Sequence, residues 1–531
     1  MATATRGLNL DALARTVCDV ESRLKDRLET AVILEALGYK DEDAREHGFR
    51  NLFDLAEGVR RVATPYAWEE PLREAPRKRE SGFSLYLAGM FYNLGWVIML
   101  IALFLGGQSL WAAKDMPVAV STAVGLGVVL GLVCTGGVQQ FAAWKLIYYH
   151  LQGNDPLARF VMRRSLLWGG LVVLAAMAGF AVLAVAVIGL PPSMAALGAT
   201  YLGMIGAYRL AVTPVYAMKK FVALLVSSLA ALAAMFTAYP LLTMAGVDRT
   251  TAVVASQLLG LGALLGTSLL FLYWFVFQER KEERKPEDPP FYSLPEKPTK
   301  VNPPRFWVLA YDGLPYLLYG TMYFVFLFGD RLVSWFGGAG PFAVNYNSMY
   351  HIGVDIALLV LVPITAVKFP LIYRLSEYLE ASSKDTAVPD TASFSRKVAR
   401  FHRGLSLRVL LAATVFTLLA GTFADGIVGF AGGTAESVAV FRYALVGIVL
   451  FSLFLSNAVF AMAFRRVMAM GVLLLVASGM NYALSGFFAV SFGPMAAVAG
   501  FVLSSLFLAV TSSAYLRGLR RGGDYAYYAA F

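Results

Sequence analysis

The chain has 531 residues, of which 58% are hydrophobic and only 15% are charged. This composition excludes an ordinary water-soluble domain, because long stretches have no polar face to show to water. The net charge of +10 does not indicate a nucleic-acid partner, since basic residues beside apolar stretches are held by lipid headgroups, at about 1 kcal/mol each. The two cysteines, Cys18 and Cys134, are too few for a metal cluster, and we expect no metal and no cofactor.

Residues 1–80 precede the first apolar stretch and predict a small helical cytoplasmic unit. Apolar positions recur at helical spacing from Leu10 to Leu37, and Gly38 is a plausible stop. We expect a second short helix from about Asp41 and a third from Leu52 to Val62. Two interpretations stay open: a soluble appendage, or a docking module for a cytoplasmic enzyme.

Twelve apolar stretches follow, each about long enough to cross a bilayer as a helix. They lie near residues 84–106, 117–143, 166–190, 194–218, 221–245, 251–277, 307–335, 346–371, 409–430, 439–463, 467–487 and 495–516. The loops after the even-numbered spans are basic, and the loop after the second span is assigned Lys145, Arg159, Arg163 and Arg164. The opposite loops offer only Lys114 and Arg249. This positive-inside pattern predicts a multi-pass membrane protein with both termini in the cytoplasm.

The stretch from residue 279 to residue 305 contains seven basic residues and seven prolines. Prolines keep such a segment extended, so we predict a cytoplasmic linker. It divides the chain into a first lobe of six spans, residues 81–278, and a second lobe, residues 306–531, which ends in a short basic-aromatic tail. Six-plus-six architecture is typical of transporters that rock two lobes about a central site. A long loop without that role is the alternative. The predicted fold is therefore an all-α polytopic membrane protein of two six-helix lobes.

Polar side chains within the spans are the candidates for a substrate or ion pathway, because charge in a bilayer usually lines water or finds a partner. The charged candidates are Arg209, Asp312, Asp330, Arg331, Asp355 and Lys368, and the neutral ones include Gln139, Gln140 and His351. The two glutamines are expected to bind sugar hydroxyls or to join helices.

Asp330, Arg331, Asp355 and His351 receive specific expectations. Adjacent residues on a helix point about 100° apart, so Asp330 and Arg331 cannot face one partner. We expect one to face the cavity and the other to reach the outer interface. Asp355 is a candidate proton or sodium site, a partner for an amino sugar's ammonium group, or a helix-joining partner of Arg209 or Arg331. His351 can share a face with Asp355, but we expect it to be solvated near the outer interface.

Tyrosines along the seventh span form a predicted stripe of Tyr316, Tyr319 and Tyr323, with Tyr311 before it and Phe326 after it. Aromatic rings stack on pyranose faces, although helix packing gives the same spacing. Prolines within spans remove backbone hydrogen bonds, and such breaks indicate cavities or compensating neighbours. They are Pro214, Pro240, Pro315, Pro363 and Pro370. The seventh and eighth spans thus combine breaks, acids and tyrosines.

Several segments resemble the Pel exopolysaccharide membrane transporter family. The first is residues 131–165, and the second is residues 314–337, which have an aspartate-basic pair before Trp335. The third is residues 353–380, with Asp355, Pro363, Lys368 and Tyr373. The last part of the chain contributes the elements FRRVMAMGVLLL, FGP and RGLRRGGDYAYY. Arginine rather than lysine follows Asp330. The resemblance covers residues 84–531 and implies a twelve-span exporter of the multidrug, oligosaccharidyl-lipid and polysaccharide flippase superfamily. It implies a place in the bacterial cytoplasmic (inner) membrane. It also implies partners: a cytoplasmic glycosyltransferase and other polysaccharide synthase subunits, with a sugar polymer or lipid-linked sugar as cargo.

Three alternatives to polysaccharide export stay open with unequal support. A cation-coupled small-molecule exporter of the same superfamily would use Asp355 as its coupling acid. A non-transporting scaffold of a synthase complex would tolerate neutral replacements at Asp355 and Asp330. A membrane-embedded acyl- or glycosyltransferase would use His351 or an aspartate as base. Such enzymes normally combine a membrane histidine or paired acids with a polar re-entrant loop, and the sequence shows no such combination, so we expect no enzyme. The chain also has no G-x-x-x-x-G-K-[ST] motif for binding ATP.

Overall fold

The computed structural model describes residues 9–20, 27–63, 81–114, 116–151, 155–274, 306–338, 340–384 and 391–521. The predicted linker 279–305 and the aromatic tail after residue 521 lie outside the described residues. The chain forms two compact units. One comprises Met1–Ser84, Ile372–Gly404 and Arg517–Phe531, and the other comprises Leu85–Leu371 and Leu405–Leu516.

The amino-terminal residues fold into four short helices around their own apolar core. The helices are α1 (Leu10–Val20), α2 (Arg27–Ala36), α3 (Asp41–Glu46) and α4 (Leu52–Ala63). Val17, Leu34, Leu55 and Val59 are fully buried in the core between them. Gly38 ends the second helix with a φ of +94°, a left-handed conformation that favours glycine. The stretch predicted as helical from Leu10 to Leu37 is thus two helices, and residues 21–26 between them are not described.

The remaining described chain is built from long helices at the predicted spans. They are α5 (Gly82–Gly106), α6 (Val118–Leu151), α7 (Asp155–Leu183), α8 (Pro192–Ala217), α9 (Phe221–Met244), α10 (Arg249–Leu272), α11 (Phe306–Phe336), α12 (Ser348–Leu359) continued by α13 (Leu361–Lys384), α14 (Thr391–Thr422) followed by the short α15 (Ala424–Phe430), α16 (Ala435–Ala463), α17 (Val467–Phe492) and α18 (Val498–Arg521). Over the described residues, ten helices are long and apolar enough to cross a membrane. The predicted all-α polytopic fold is confirmed.

Several helices are longer than a bilayer requires. The 34 residues of α6 reach about 51 Å at 1.5 Å per residue, against about 30 Å of hydrocarbon. Lys145, Arg159, Arg163 and Arg164 were predicted in a loop, but they lie on α6 and α7. The assignment was wrong because a charged residue ends an apolar stretch without ending the helix.

The prolines within spans mostly leave their helices unbroken. Pro214, Pro240, Pro315 and Pro370 lie inside continuous helices. Near Pro363, by contrast, the eighth span divides at Val360 into α12 and α13. That position fits the chemistry, since a proline removes the hydrogen bond to the carbonyl four residues before it.

We call α5–α10 the first lobe and α11–α18 the second lobe. Within the first lobe, α6 packs against α7 and α8, and α9 packs against α10. Within the second lobe, α11 packs against α17, and α12 packs against α16. Between the lobes, α6 and α11 form a long seam, whose backbones meet at Gly136 and Gly320. A Cβ atom added to Gly320 would lie 2.3 Å from the carbonyl oxygen of Gly136.

We call the end of the helix bundle that carries the α8–α9 turn and the α16–α17 turn the basic end. We call the opposite end the neutral end. Both turns hold a basic residue in the left-handed conformation, Lys219 at φ 56° and Arg465 at φ 53°. In both, the next residue's N–H closes the helix on a carbonyl five residues back, from Lys220 to Val215 and from Arg466 to Ala461. The two turns thus occupy equivalent places in the two lobes, as in a repeated architecture.

A short hairpin at the neutral end was not predicted. Its strands β1 (Gln108–Ser109) and β2 (Ala112–Ala113) pair between α5 and α6. The buried amide of Gln257 on α10 donates to the carbonyl oxygens of Ser109 and Ala112, at 2.8 and 3.1 Å. Tyr201 on α8 donates its hydroxyl to Gln257 Oε1 at 2.7 Å. Gln257 therefore joins this hairpin to helices α8 and α10 within the first lobe.

Candidate functional site

Asp330 and Arg331 lie side by side near the neutral end of α11, and both side chains are fully buried. Asp330 Oδ2 accepts a hydrogen bond of 2.5 Å from the hydroxyl of Tyr350. Arg331 Nη2 lies 3.2 Å from Asp355 Oδ1 on α12, and its Nη1 donates to the carbonyl oxygen of Leu327. The two residues do face different partners. The expectation that one of them reaches the outer interface is wrong, because both side chains are fully buried and their partners, Tyr350 and Asp355, both lie on α12.

His351 is buried as well, with 8% of its surface exposed, so the expected solvated histidine is wrong. Its Nε2 accepts the indole N–H of Trp335 at 2.9 Å. Its Nδ1 lies 3.4 Å from Asp355 Oδ2. The ring of Tyr346 stacks on the imidazole, with centroids 4.6 Å apart and planes 20° apart. His351 is therefore enclosed by one donor, one acceptor and one aromatic face.

Asp355 pairs with Arg331, one of the two arginines raised as its helix-joining partner. The other candidate arginine, Arg209, holds its guanidinium 5.0 Å from the ring centroid of Phe324. Asp355 keeps 28% of its side chain exposed, so one side of the pair is open. On the other side, Asp330 Oδ1 and Arg331 Nε are buried without a hydrogen-bond partner in the described structure. We call Asp330, Arg331, Trp335, Tyr350, His351 and Asp355 the charged cluster.

The charged cluster sits directly behind a contact between the lobes. Trp335 presses on α6 at Gly125, where an added Cβ atom would lie 2.8 Å from Trp335 Cη2. The backbone N–H of Tyr346 donates to Thr122 Oγ1 of α6 at 2.9 Å. The N–H of Ala343 lies 3.3 Å from the carbonyl oxygen of Ile188. These contacts close the neutral end of the seam, and we call them the neutral-end contact.

A second contact closes the seam at the basic end, and we call it the basic-end contact. The ammonium group of Lys145 on α6 forms an ion pair with Asp312 on α11. Lys145 is 4% exposed, whereas Asp312 is 53% exposed. Next to this pair, Trp144 stacks on Tyr316, with centroids 4.2 Å apart. Arg465 of the second lobe holds its guanidinium 5.8 Å from the ring centroid of Tyr148.

The tyrosines of the seventh span do not form one surface. Tyr316 faces α6, whereas Tyr323 packs on Phe451 of α16, with centroids 5.9 Å apart. Tyr319 is 8% exposed, and Tyr311 is 83% exposed. Packing therefore accounts for much of the stripe that the spacing indicates.

Three further candidates lie apart from the charged cluster. Gln139 and Gln140 are half-buried on α6, and Gln140 Cβ lies beside the Gly320 contact, 2.9 Å from where an added Cβ would lie. Lys368 is buried on α13, toward the basic end. The described residues contain no group of three or more histidine, cysteine or acidic side chains placed to hold a metal ion.

Tyr350 and Tyr346 are members of these contacts that the residue pattern does not single out. Tyr350 is fully buried as the partner of Asp330, yet tyrosines near span ends usually indicate interfacial anchors. In the sequence, Trp335 stands out only as the aromatic residue that follows the Asp330–Arg331 pair. The available signal is its spacing: Trp335 follows Arg331 by four residues, so the two share a helix face.

Comparisons with known proteins bear on the fold. No protein-family model and no curated protein sequence matches this chain. Among solved structures, it is similar to a MATE transporter in the straight conformation, with 15% identity, 83% of this chain and 95% of that chain covered, and a TM-score of 0.55. It is similar to a variant of the Vibrio cholerae MATE transporter VcmN at 14% identity, covering 83% and 96%, with a TM-score of 0.52. An inward-facing multidrug resistance MATE family transporter of the MOP superfamily matches at 13% identity, covering 83% and 98%, with a TM-score of 0.53. At these identities the likeness shows the fold alone: the helices of this chain are arranged as in those MATE transporter structures.

Proposed function

We propose that this chain is a membrane transporter that moves a polysaccharide or a lipid-linked sugar outward by alternating access of its two lobes. The observation that carries the proposal is the seam between α6 and α11. Its middle is a close backbone contact between Gly136 and Gly320, with the side chains of Phe324 and Gln140 beside it. Its two ends are closed by separate side-chain contacts. A seam of this kind can hinge at its middle and open at either end.

The two end contacts differ in chemistry, so each can open without the other. The neutral-end contact consists of the Trp335 ring against Gly125, the hydrogen bond from Tyr346 to Thr122, and the contact of the Ala343 N–H with the carbonyl oxygen of Ile188. The basic-end contact consists of the ion pair between Lys145 and Asp312 and the stacked rings of Trp144 and Tyr316. A ligand that binds the open and the closed state with different affinity can supply enough free energy to break a few side-chain contacts of this kind.

The basic end favours a sugar cargo. Trp144, Tyr148 and Tyr316 offer rings that can stack on pyranose faces, and Lys145 and Arg465 lie beside them. Aromatic rings next to charged groups suit an amphipathic ligand. The resemblance to the Pel transporter family points the same way and implies a cytoplasmic glycosyltransferase as partner. We propose the amino-terminal helical unit as the candidate docking module for it.

A cation-coupled exporter of small molecules is the second candidate, and Asp355 favours it. This carboxylate is partly exposed, and it faces both Arg331 and His351. A group that exchanges partners near water is suited to ion coupling. The fold serves this function equally well, so the cargo has to be tested directly.

The test combines gene deletion with a reversible lock on the neutral-end contact. Deletion in the host should abolish secreted hexosamine polymer, and the wild-type gene should restore it. The lock uses Ile188→Cys with Ala343→Cys, whose backbone atoms lie 3.3 Å apart, after Cys18→Ser and Cys134→Ser. A short bis-maleimide should stop export by the double variant and spare each single variant. If polymer secretion is unchanged on deletion, the polysaccharide proposal fails, and a loss of drug resistance would then support the small-molecule exporter.

A further inference from the structure

The hydrogen bonds around His351 fix the position of its ring proton. An indole N–H can only donate, so His351 Nε2, which faces Trp335 Nε1 at 2.9 Å, must present its lone pair. A neutral imidazole then carries its hydrogen on Nδ1, which faces Asp355 Oδ2 at 3.4 Å. The closed neutral-end contact therefore contains a neutral histidine with no free lone pair.

The surroundings of His351 come from its own helix, from α11, from the loop before α12 and from α6. Asp355 and Asp330 are carboxylates that favour a positive charge on the ring, and the guanidinium of Arg331, which pairs with Asp355, opposes it. The neutral groups are the rings of Trp335 and Tyr346 against the imidazole, the Tyr350 hydroxyl on Asp330, and Thr122 of α6, which accepts the N–H of Tyr346. The opposing guanidinium is already shared with Asp355. The site can thus hold an imidazolium once a lone pair becomes available.

We propose that His351 is a proton-binding site that opens the neutral-end contact. A proton can add to Nε2 only after the Trp335 N–H has left it. Once protonated, both ring nitrogens donate, and Trp335 cannot return to its hydrogen bond. Proton binding therefore stabilises the arrangement in which Trp335 is displaced, by simple population shift.

Displacement of Trp335 reaches the lobe interface directly. Its ring fills the space against Gly125 of α6 and also packs on Tyr346, whose ring covers His351 and whose N–H bonds Thr122. Loss of the Trp335–His351 hydrogen bond removes the support behind both contacts to α6. The ratio of open to closed molecules should rise by up to about tenfold for each unit by which the pH falls, because one proton is bound. This inference rests on the proposed function, since it gives the neutral-end contact the role of a gate.

The test measures the distance between the lobes at the neutral end. Spin labels are placed at Ser193→Cys on α8 and Glu436→Cys on α16, both exposed, in the Cys18→Ser and Cys134→Ser background. Between about pH 8 and about pH 5.5, the longer distance should gain population as the medium becomes acidic. His351→Gln should keep the short distance at every pH, because the amide oxygen accepts from Trp335 and the amide N–H donates to Asp355 without titrating. His47→Gln, on the amino-terminal unit, should retain the wild-type pH response.

Trp335→Phe is the second variant, and it keeps the inference testable if His351→Gln does not fold. It removes the donor that occupies Nε2, so the longer distance should already be populated near pH 8. A wild-type pH response in His351→Gln, or a Trp335→Phe protein that behaves as wild type, would overturn the inference. The distances are measured without cargo. A pH-dependent opening together with unimpaired polymer secretion on gene deletion would therefore reject the polysaccharide proposal and leave the proton site standing.

Discussion

Arg331 and Asp355 form an ion pair of 3.2 Å whose two members are unequally buried. The arginine side chain is fully buried, and the carboxylate keeps 28% of its surface exposed. An arginine does not deprotonate in proteins, so this cation stays charged whatever its partner does. The pair joins α11 to α12 across the loop that covers the charged cluster. Its two members should therefore respond differently to neutral replacement.

Asp355→Asn should destabilise the protein by about 3–5 kcal/mol, because it leaves a buried guanidinium without its carboxylate. Arg331→Gln should cost less, since Asp355 can turn its charge toward water. The double variant should recover part of the loss that Asp355→Asn causes. Thermal unfolding of the purified proteins in detergent measures all three. A double variant less stable than Asp355→Asn would contradict this account. Loss of transport in Asp355→Asn alone would not identify a coupling acid.

The ion pair at the basic end, between Lys145 and Asp312, has members whose burial differs even more, at 4% and 53% exposed. Asp312→Asn leaves the ammonium group of Lys145 buried without a carboxylate, whereas Lys145→Gln leaves Asp312 half exposed and hydrated. We therefore expect Asp312→Asn to lower the unfolding temperature more than Lys145→Gln does. Both remove the ion pair between α6 and α11, so both should raise the reactivity of a cysteine placed at Leu317. Equal unfolding temperatures for the two variants would show that Lys145 is hydrated in the protein.

The mid-seam glycines allow a sharper test of packing. A methyl group at Gly320 meets the carbonyl oxygen of Gly136, which is backbone and cannot rotate away. Gly320→Ala should therefore cost about 1–3 kcal/mol of stability, as overpacking does, and should impair transport. Gly179→Ala is the matched control, since an added Cβ at this exposed position on α7 meets nothing within 4 Å. Unfolding temperatures and transport assays compare the two. Equal behaviour would mean that the seam is looser than its backbone distances indicate.

The spans could be predicted from the sequence because hydropathy over about 20 residues is a local property. The predicted start of α9 at residue 221 and the predicted limits of α16 and α17 at 463 and 467 agree with the helices observed. Hydropathy did not predict the helix extensions beyond the bilayer, because it reports only the local apolar run and not where the helix ends. Lys145 ends an apolar run, yet it is buried on α6 by its partner on a distant helix.

The partners of the charged residues could not be derived from their spacing. Asp355 had two candidate arginines, and only the packing of α12 against α11 selects Arg331 over Arg209. His351 lies near a span end, where solvation is the usual state, but the fold of the preceding loop buries it under Tyr346. The Gly136–Gly320 contact joins two helices far apart in sequence. Such relationships depend on tertiary packing, which no local pattern contains.

The amino-terminal unit offers a prediction about pH. Glu57 on α4 accepts hydrogen bonds from Arg60 at 3.1 Å and from Arg61 at 3.3 Å. The hydrogen bond from Arg60 lowers the pKa of the Glu57 carboxyl, against the smaller opposing effect of burial. A carboxyl whose pKa is lower in the folded state adds stability above its unfolded pKa, about 4.3, and that stability is lost as the pH falls through the folded value.

Glu57→Gln should therefore loosen α4 at pH 7 and leave it unchanged once the pH is well below the lowered pKa of Glu57, where the wild-type carboxyl is protonated too. The size should be modest, about 0.2–0.5 kcal/mol for each helical ion pair. Hydrogen exchange of the α4 amides in the intact protein, corrected for intrinsic rates at each pH, measures it. Glu35→Gln, an exposed position on α2, is the control and should change neither value. If Glu57→Gln increases exchange equally at both pH values, the carboxylate charge is not what stabilises the helix, and the side chain acts through packing alone.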